Sequence, residues 1–476
     1  MAKLELKIGL ASCVQPNFWG SQKNLYRTHY LPEFGKLSEK LGITCIARHD
    51  DIISEDDAQQ AVEYFNAEGV DFVLLQCTTF PGGNVILPFE HLCGRLGIWA
   101  IEEPCRSGPI PLNSFCGMNM LASIWGQYMR MDKPLKWFYG DVDSPLFLRR
   151  LEVTINAIRG LKRLDGARIG LVGGIAPGFT DFAFDERLTK QKLNITVDRL
   201  PEFGEIKERA LAYDKAYIDM RIKEYAAGAD AVAAEAQKSM ENTVRIYHAF
   251  EDVIRESKFD AIAIGCWPKY RRDLGIVVCS VIGRLLDNGY IAACEGDVDS
   301  AASMLMLGGI SGKTPMLMDI SDIDFSDDTA LLWHCGSAPG CYAGKGGTII
   351  NKHYKPGKNI PGADDIPVGT VNEMVFAPCP VTVARFTWDY TEMLLLDGSI
   401  VEKADDGFDG SRGWMGNIRM AEQPVDARTL VNTLLTTRFQ HHYPLVEGNW
   451  TDEMMELSAW LGLEPIKPIA YKPYLQ

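Results

Sequence analysis

The sequence predicts an α/β fold in which two parallel-sheet domains precede a β-rich third domain. Through the first two thirds of the chain, short apolar strands alternate with helical segments, which is typical of parallel sheets covered by helices on both faces. The alternation stops in a polar stretch and restarts at Arg168, which indicates two separate Rossmann-like, doubly wound domains. We place the three domains at residues 1–165, 166–312 and 313–476.

The individual elements follow from local patterns. In the first domain, Ser54 is the expected N-cap and Gly69 the expected end of a helix that lies between the last two strands of KIGLA, ITCIAR and VDFVLLQ. The strands expected in the second domain are RIGLVGG, NITVDRL, ADAVAAE, DAIAIGC and YIAAC. In the third domain PVTVARFTWDY and EMLLLDGSIVEKA are typical of an antiparallel sheet or barrel, with a hairpin turn at Asp397-Gly398 and a last helix over 452–461 that ends at Gly462.

Composition excludes several classes of partner. The formal net charge of −15 argues against binding to nucleic acid or to an anionic membrane surface. No apolar run approaches the roughly 18 residues of a membrane span. Twelve cysteines without a CxxC pair indicate a reduced protein, and the start, MAKLELKIGLA, is typical of a strand and not of a signal peptide. We therefore expect a cytoplasmic protein.

The stretch GLVGGIAPGF, residues 170–179, invites comparison with a dinucleotide-binding loop. A dehydrogenase would need G-x-G-x-x-G running directly into a helix, whereas here the glycines are wrongly spaced and Pro177 interrupts the expected helix start. We interpret the stretch as a glycine-rich turn at the edge of a sheet.

One apolar strand ends abruptly on a carboxylate. In IAACEGDVDSAASMLMLGG, residues 291–309, the apolar run stops at Glu295 and a helical segment follows. The next short strand, KTPMLMDIS, carries Asp319 near its end. If the two strands pair in parallel, their ends meet at the carboxyl edge of the sheet, where open α/β folds bind ligands. If Asp319 instead opens the third domain, the two acids face each other across a cleft, and in both arrangements they converge.

Three of the eight histidines can join this pair. LLWHCG places His334 at the end of an apolar run, and RFQHHYPLVEGNW places His441 and His442 at the head of a later strand, where one ring is expected on each side. The other five are interpreted as ordinary core or surface groups. Carboxylate and imidazole ligands suit manganese, magnesium or cobalt better than they suit thiophilic metals.

Longer stretches around these residues resemble the superfamily of L-fucose isomerase and L-arabinose isomerase, which are metal-dependent aldose–ketose isomerases. GCWPKYRRDLGIVVCSVIGRLLDNGYIAACEGD is similar to the segment that leads to the first catalytic glutamate, and HHYPLVEGNWTDEMMEL is similar to the C-terminal histidine element. Asp319 follows Glu295 by 24 residues, which matches the glutamate-to-aspartate spacing of fucose isomerases. The resemblance covers the whole chain and implies the three-domain architecture described above.

The resemblance also implies a site. Glu295, Asp319 and His442 correspond to metal ligands, and Glu295 and Asp319 to the acid/base pair. His442 is preferred to His441 because the family's ligand is the second of the analogous pair. His334 and His441 are candidates for a further ligand or a substrate contact. The implied cofactor is Mn²⁺, with Mg²⁺ or Co²⁺ as alternatives.

The implied reaction is aldose–ketose isomerisation of an open-chain monosaccharide through a cis-enediol, in which two carboxylates move protons. The implied substrate is a sugar like L-fucose or D-arabinose, or a 6-sulfonated hexose such as sulfoquinovose. An enzyme like L-arabinose isomerase is an alternative, although arabinose isomerases have glutamate at the position of Asp319. In the family the first domain reaches a neighbouring subunit's site, which implies a homo-oligomer, a hexamer.

The substrate contacts are less specific in the sequence. Candidates are polar and aromatic side chains at the expected ligand edge: Trp19, Gln237, Trp267, Arg271 and Trp414. Arg271, with Lys269 and Arg272, could contact an anionic sugar substituent or could form solvated charges at a helix start. A sugar-binding or regulatory module without catalysis is the alternative from another class, because two Rossmann-like domains also build periplasmic-type binding proteins.

Overall fold

The computed structural model describes residues 4–18, 24–128, 134–199, 201–353 and 369–476. The protein is mixed α/β, and these residues form two parallel sheets and one large mixed sheet. Within the described residues the chain divides into a compact unit that ends at Arg159 and a second that begins at Gly160. The domain boundaries expected at 165 and 312 stay predictions.

The first unit contains a five-stranded sheet in the order β2-β1-β3-β4-β5, with every neighbouring pair parallel. The order is that of flavodoxin-type doubly wound sheets. Ser54 caps α2 by accepting a hydrogen bond from the backbone of Asp57, and Gly69 ends the helix with a φ of 64°, as predicted. The elements are β1 (Lys7–Cys13), α1 (Leu31–Leu41), β2 (Thr44–Ala47), α2 (Glu55–Glu68), β3 (Phe72–Cys77), β4 (Arg95–Ala100), α3 (Ser114–Tyr128), β5 (Lys136–Tyr139) and α4 (Pro145–Leu164), which contains the boundary.

The second unit begins with a smaller parallel sheet in the order β10-β9-β6-β7. The prediction that ADAVAAE contributes a strand to this sheet is wrong. The strand in this segment, β8, pairs instead with β13 of the mixed sheet. The elements are β6 (Arg168–Val172), α5 (Glu186–Leu193), β7 (Thr196–Asp198), α6 (Phe203–Ala212), α7 (Lys215–Ala226), β8 (Ala231–Val232), α8 (Met240–Ser257), β9 (Ala261–Ile264), α9 (Lys269–Leu274), α10 (Cys279–Asp287), β10 (Ile291–Ala293) and α11 (Val298–Ser311).

In the part of the chain that the structure describes, the mixed sheet has eleven strands, six of which close on themselves. Antiparallel pairing runs β16-β15-β19-β11-β12-β17 and returns from β17 to β16, so these strands form a barrel. The last helix, α13, ends at Gly462 as predicted. The elements are β11 (Met316–Asp324), β12 (Thr329–His334), β13 (Ile349–Lys352), β14 (Thr370–Val375), β15 (Pro380–Phe386), β16 (Glu392–Val401), β17 (Ser411–Met420), β18 (Gln423–Pro424), α12 (Ala427–Thr436), β19 (His442–Glu447), α13 (Thr451–Leu461) and β20 (Glu464–Pro465).

The hairpin turn predicted at Asp397-Gly398 is wrong. Both residues lie inside the ten-residue strand β16, at a shift in its register with β17. A Cβ on Gly398 would lie 2.8 Å from the carbonyl oxygen of Gly416. The glycine therefore permits a close approach of two strands where the barrel closes, and it does not form a turn.

Helix α11 connects the small parallel sheet to the barrel. It packs against β9 and β10 on one side and against β15 and β19 on the other. Most of its residues are apolar and almost all are buried, as expected of a helix between two layers. The helix begins three residues after Glu295, with Asp297 as its N-cap, so the turn that carries this carboxylate leads into α11.

Among the described residues, no helix combines the length and the apolarity that crossing a bilayer requires.

Candidate active site

Glu295 follows β10 with a φ of 61°, a left-handed conformation that is uncommon outside glycine. The next residue, Gly296, has a φ of 76°, and a Cβ there would lie 2.4 Å from the carbonyl oxygen of Gly174. The carbonyl oxygen of Glu295 accepts a hydrogen bond of 2.9 Å from the N–H of Ala176. A tight turn, closed against the loop after β6, thus ends the strand and carries the carboxylate.

Asp319 and His442 lie directly opposite each other on antiparallel strands β11 and β19. The Nε2 of His442 is 3.7 Å from Oδ1 of Asp319 and 3.4 Å from Oε2 of Glu295. The arrangement with Glu295 and Asp319 on neighbouring parallel strands is wrong, because α11 crosses from the parallel sheet into the barrel before Asp319 is reached. The two acids converge nevertheless, through His442.

A buried carboxylate holds His442 in place. Nδ1 of His442 donates a hydrogen bond of 2.9 Å to Oδ2 of Asp297, so the lone pair of the neutral ring is on Nε2 and faces Glu295 and Asp319. Arg385 donates to both oxygens of Asp297, at 2.6 and 3.1 Å. Burial acts to raise the pKa of Asp297, but the charge of Arg385 and the hydrogen bond from His442 hold this pKa well below its usual range. Asp297 therefore remains ionised.

His441 presents its ring to the same carboxylate. Its Nδ1 donates a 2.8 Å hydrogen bond to Asp181, and its Nε2 lies 3.6 Å from Oε2 of Glu295. The expectation that the rings of His441 and His442 point to opposite sides is wrong, because His441 precedes β19 and does not follow its alternation. Burial alone would lower the pKa of His441, but Glu295 and Asp181 raise it to about 9.

The loop after β6 supports both imidazoles. The ring of Phe182 stacks on His442, with centroids 4.3 Å apart, and lies 4.6 Å from the ring of His441. Gln440 donates to the carbonyl oxygen of Asp181 at 3.0 Å, which ties this loop to the histidine pair. The glycine-rich stretch that invited a dinucleotide interpretation thus leads to a packing and hydrogen-bonding platform.

His334 is buried at the end of β12. Its Nδ1 accepts a 2.7 Å hydrogen bond from the backbone N–H of Cys335, which leaves the proton of a neutral ring on Nε2. Burial would lower the pKa of His334, but the charge of Asp319 contributes most to raising it to about 10, while burial raises the pKa of Asp319. In either charge state Nε2 carries a hydrogen, so His334 is suited to donate to Asp319 or to a sugar oxygen rather than to bind a metal.

Four buried polar atoms of this group have no hydrogen-bond partner within the described part of the chain. They are Oε2 of Glu295, Oδ1 of Asp319, Nε2 of His334 and Nε2 of His442. Leaving a buried polar atom unsatisfied costs about 1–3 kcal/mol, so a cluster of such atoms indicates a ligand site. Ligand atoms within 4.8 Å of one another form two groups that share His442: Glu295, His441 and His442, and Asp319, His334 and His442.

The donor set fits a divalent ion of the manganese, magnesium or cobalt kind. Metal–ligand bonds of about 2.1 Å place adjacent ligand atoms about 3.0–3.4 Å apart. The two distances from Nε2 of His442, 3.4 and 3.7 Å, are close to this spacing. Glu295, Asp319 and His442 are the residues that would hold the ion.

A cavity of about 390 Å³ adjoins the same loop. Its lining includes Gly173 and Gly174, the basic residues Arg199, Lys269 and Arg272, and the acidic residue Glu202. Arg199 and Arg272 pair with neighbouring carboxylates, whereas no ion pair within 4 Å reaches Lys269 in the described residues. Because Gly174 also contacts the turn at Glu295, the cavity and the candidate site share one loop.

The predicted substrate contacts are not grouped with these residues. Trp19 lies outside the described residues. Gln237 is exposed at the start of a short 3₁₀ helix, and Trp267 lies under the guanidinium group of Arg271, 5.7 Å from the ring centroid. Trp414 is buried in β17.

For the four described candidates, Gln237, Trp267, Arg271 and Trp414, no hydrogen bond, ion pair or ring contact to Glu295, Asp319 or His442 is found in the described residues. Trp414 instead donates its Nε1 hydrogen to the carbonyl oxygen of Asp405 at 2.9 Å and lines a different cavity, next to Phe376. Their roles as substrate contacts stay predictions.

Sequence reasoning missed the residues that support the site: Asp181, Phe182, Asp297, Arg385 and Gln440. One signal was available, because Arg385 is a single arginine within the apolar strand PVTVARF, where a buried charge requires a partner. Nothing in the sequence indicated that this partner would be Asp297.

The chain is similar to known proteins over most of its length. It is 26% identical over 432 residues to a sulfoquinovose isomerase of Priestia megaterium, covering 88% of this chain and 91% of that protein. A sulfoquinovose isomerase of Alkalicoccus urumqiensis is 24% identical over 407 residues, covering 83% of this chain and 86% of that protein.

These relatives confirm the predicted resemblance. The chain is an aldose–ketose isomerase. The predicted enzyme class, an intramolecular oxidoreductase, is thereby confirmed.

Two further comparisons add nothing to this assignment. No family model matches the isomerase. A periplasmic solute-binding protein of an ABC transporter from Actinobacillus succinogenes 130z, solved with bound D-allose, is 12% identical and covers 65% of this chain and 92% of that chain. Its TM-score of 0.18 is too low to support a conclusion.

Proposed function

We propose that this chain is a metal-dependent isomerase that converts a 6-sulfonated aldohexose, such as sulfoquinovose, to its ketose through a cis-enediol. The observation that carries the proposal is the convergence of four unpartnered buried atoms from Glu295, Asp319, His334 and His442. The relatives named sulfoquinovose isomerase support the choice of substrate. L-Fucose and D-arabinose are the alternative substrates, and an enzyme like L-arabinose isomerase is the alternative class.

The side chains have distinct roles in this proposal. One of Glu295 and Asp319 takes the proton from C2 of the open-chain aldose and delivers it to C1, and the other moves the hydroxyl proton from O2 to O1. Nε2–H of His334 donates to a sugar oxygen, and Asp297 keeps the lone pair of His442 directed into the site. When bound, Mn²⁺ stabilises the negative charge that develops on oxygen.

The basic cavity supports an anionic substrate. A sulfonate is a permanent anion, and the cavity lining combines three basic residues, Arg199, Lys269 and Arg272, with the acidic Glu202. The Lys269→Ala variant should therefore show a raised KM for sulfoquinovose and an unchanged KM for any uncharged aldose that the enzyme turns over. An equal rise in KM for both sugars would show that the cavity does not recognise the sulfonate. The proposed isomerase chemistry would be unaffected.

A substrate panel tests the function directly. The purified protein is freed of metal, supplied with Mn²⁺ and incubated with sulfoquinovose, L-fucose, D-arabinose and L-arabinose, and new ketose is detected by NMR. We expect a ketose from sulfoquinovose and its loss when the metal is chelated. If only an uncharged sugar were converted, that sugar would replace sulfoquinovose as the proposed substrate. Undiminished turnover without metal would refute the proposed metal dependence.

The Glu295→Gln variant tests the acid/base role. Glutamine keeps the shape of the side chain but cannot accept a proton, so kcat should fall by about 10²–10⁴-fold while the unfolding temperature stays close to that of the parent. Near-normal kcat in a folded variant would exclude Glu295 from proton transfer.

The proposal retains two inferences from the sequence analysis. We infer a homo-hexamer from the resemblance to fucose and arabinose isomerases, and a cytoplasmic location from cysteine usage. Analytical ultracentrifugation of the purified protein measures the first, and cell fractionation measures the second.

A further inference from the structure

A second group of metal-binding side chains contains two thiols and no carboxylate. The two Sγ atoms of Cys279 and Cys335 and a ring nitrogen of His353 all lie within 4.8 Å of one another. Cys279 and His353 are buried, and Cys335 is half-buried. The three residues come from separate parts of the chain: Cys279 begins α10, Cys335 follows β12 and His353 follows β13.

The start of β14 fixes two of these residues relative to each other. The N–H of His353 donates to the carbonyl oxygen of Gly369 at 3.2 Å, just before β14 begins at Thr370. The hydroxyl groups of Thr370 and Ser280 are hydrogen-bonded at 2.5 Å, and Ser280 is the neighbour of Cys279. The start of β14 therefore fixes the positions of both His353 and Cys279.

The same strand fixes the third residue. The N–H of Asn372 in β14 donates to the carbonyl oxygen of Gly336 at 3.0 Å, directly after Cys335. A Cβ on Gly336 would lie only 2.4 Å from Cβ of Val371, so the backbone beside Cys335 packs closely on β14. All three ligand positions are thus set by hydrogen bonds and packing that do not involve the ligands' own side chains.

The surroundings favour a soft metal. Cys279 belongs to a small apolar cluster with Val277 and Val371, and Cys335 packs against this cluster. Two sulfur atoms and one imidazole nitrogen form a ligand set that suits zinc, with bonds of about 2.3 Å to sulfur and about 2.0 Å to nitrogen. Three protein ligands leave one position of a tetrahedron for water or another small ligand.

We propose that Cys279, Cys335 and His353 form a thiolate-rich binding site for a zinc-like divalent ion, distinct from the site at Glu295, Asp319 and His442. The absence of a CxxC pair does not argue against this site, because its ligands are brought together by the fold. An ion there stabilises the segment that follows β12, next to His334. The proposal does not depend on the proposed isomerase function.

Cobalt is a suitable probe, because thiolate ligands give Co²⁺ an intense near-ultraviolet charge-transfer band that carboxylate and imidazole ligands do not give. Reduced, metal-free full-length protein is titrated with Co²⁺ and then with Zn²⁺. We expect the band to saturate at one equivalent and to disappear as Zn²⁺ displaces the cobalt. Zn²⁺ should also protect two thiols of the folded protein from a thiol reagent.

Variants separate this site from the thiol pair of Cys266 and Cys294. Cys279→Ser and Cys335→Ser should each lose most of the charge-transfer band, and His353→Ala should weaken cobalt binding. Cys266→Ser is the matched control, because Sγ of Cys266 lies 3.3 Å from Sγ of Cys294 beside Glu295, and it should retain the band.

Two results would overturn the proposal. One is the absence of a charge-transfer band with the reduced protein, including a case in which Cys279 and Cys335 form only a disulfide. The other is a band that survives Cys279→Ser and Cys335→Ser together and disappears with Cys266→Ser. Either result leaves the proposed isomerase function untouched, because that site contains no sulfur ligand.

Discussion

At the scale of single residues, the candidate site depends on how two histidines are held. Asp297 and Asp181 each accept a hydrogen bond from Nδ1 of one histidine, and both imidazoles direct Nε2 towards Glu295. The two pairs differ in environment, because His442 and Asp297 are buried whereas His441 and Asp181 are partly exposed. This difference makes them a matched pair for mutation.

Asp297→Asn should lower the affinity for Mn²⁺ by about 10- to 100-fold, because the carboxylate orients a ligand histidine. The same change leaves Arg385 buried without its charge partner, which should lower the free energy of unfolding by about 3–5 kcal/mol. Isothermal titration calorimetry and denaturant unfolding measure the two effects.

Asp181→Asn is the control for this prediction. Its hydrogen bond to His441 is partly exposed, so the loss of stability should be below about 1 kcal/mol. Equal losses of stability in the two variants would contradict the structural role given to the Arg385–Asp297 pair.

At the scale of elements, the turn between β10 and α11 is the most constrained part of the site. Gly296→Ala places a methyl group 2.4 Å from a backbone oxygen at a positive φ, so it should lower the free energy of unfolding by about 2–5 kcal/mol. The displaced turn should also lower kcat. Chemical denaturation and steady-state kinetics measure these effects.

Gly312→Ala is the matched control at the other end of α11. Gly312 also has a positive φ, of 67°, but a Cβ there has no neighbouring atom within 4 Å. Only the backbone preference is lost, so the cost should be about 1 kcal/mol with kcat unchanged. If Gly296→Ala proved no more costly than Gly312→Ala, the close contact with Gly174 would not constrain the turn.

Helix α11 also carries a buried acid that makes stability depend on pH. Burial raises the pKa of Asp299 to about 7, even though Arg385 acts to lower it, and its Oδ1 accepts a hydrogen bond from Tyr390. The unfolded chain releases this proton near pH 4 and the folded protein near pH 7. The unfolded state therefore binds fewer protons in this range, and stability falls as the pH rises from about 4 to about 7.

Asp299→Asn should remove this component, which is worth about 4 kcal/mol over the whole range. Asparagine can still accept the hydrogen bond from Tyr390. As the pH rises from 4 to 7, the free energy of unfolding of the parent should therefore fall relative to that of the variant. Denaturant unfolding at several pH values measures this change. A difference that is independent of pH would show that Asp299 does not titrate in this range.

At the scale of the whole molecule, metal binding should stabilise the fold, because its expected ligands lie on segments from the parallel sheet and from the barrel. Mn²⁺ at 100 times its dissociation constant should add about 2.7 kcal/mol to the free energy of unfolding. Differential scanning calorimetry with Mn²⁺ and with a chelator measures the gain. The His442→Ala variant should lose it, and a gain that persists in that variant would place the ion elsewhere.

The sequence by itself determined the alternation of strands and helices, the caps of α2 and the end of α13. These features follow from local periodicity and from turn and cap chemistry, which act over a few residues. The pairing of β8 and the course of β16 through Asp397-Gly398 were decided by contacts with strands distant in sequence, which no local pattern contains.

The tertiary structure also decided which groups support the site. Glu295, Asp319 and His442 could be named from the sequence, but Asp297, Arg385 and Asp181 become relevant only when α11, β15 and the loop after β6 pack around β19. A buried charge requires a partner, and the identity of that partner depends on which segments the fold brings within hydrogen-bond distance. For the same reason Cys279, Cys335 and His353 form a group only in the folded chain.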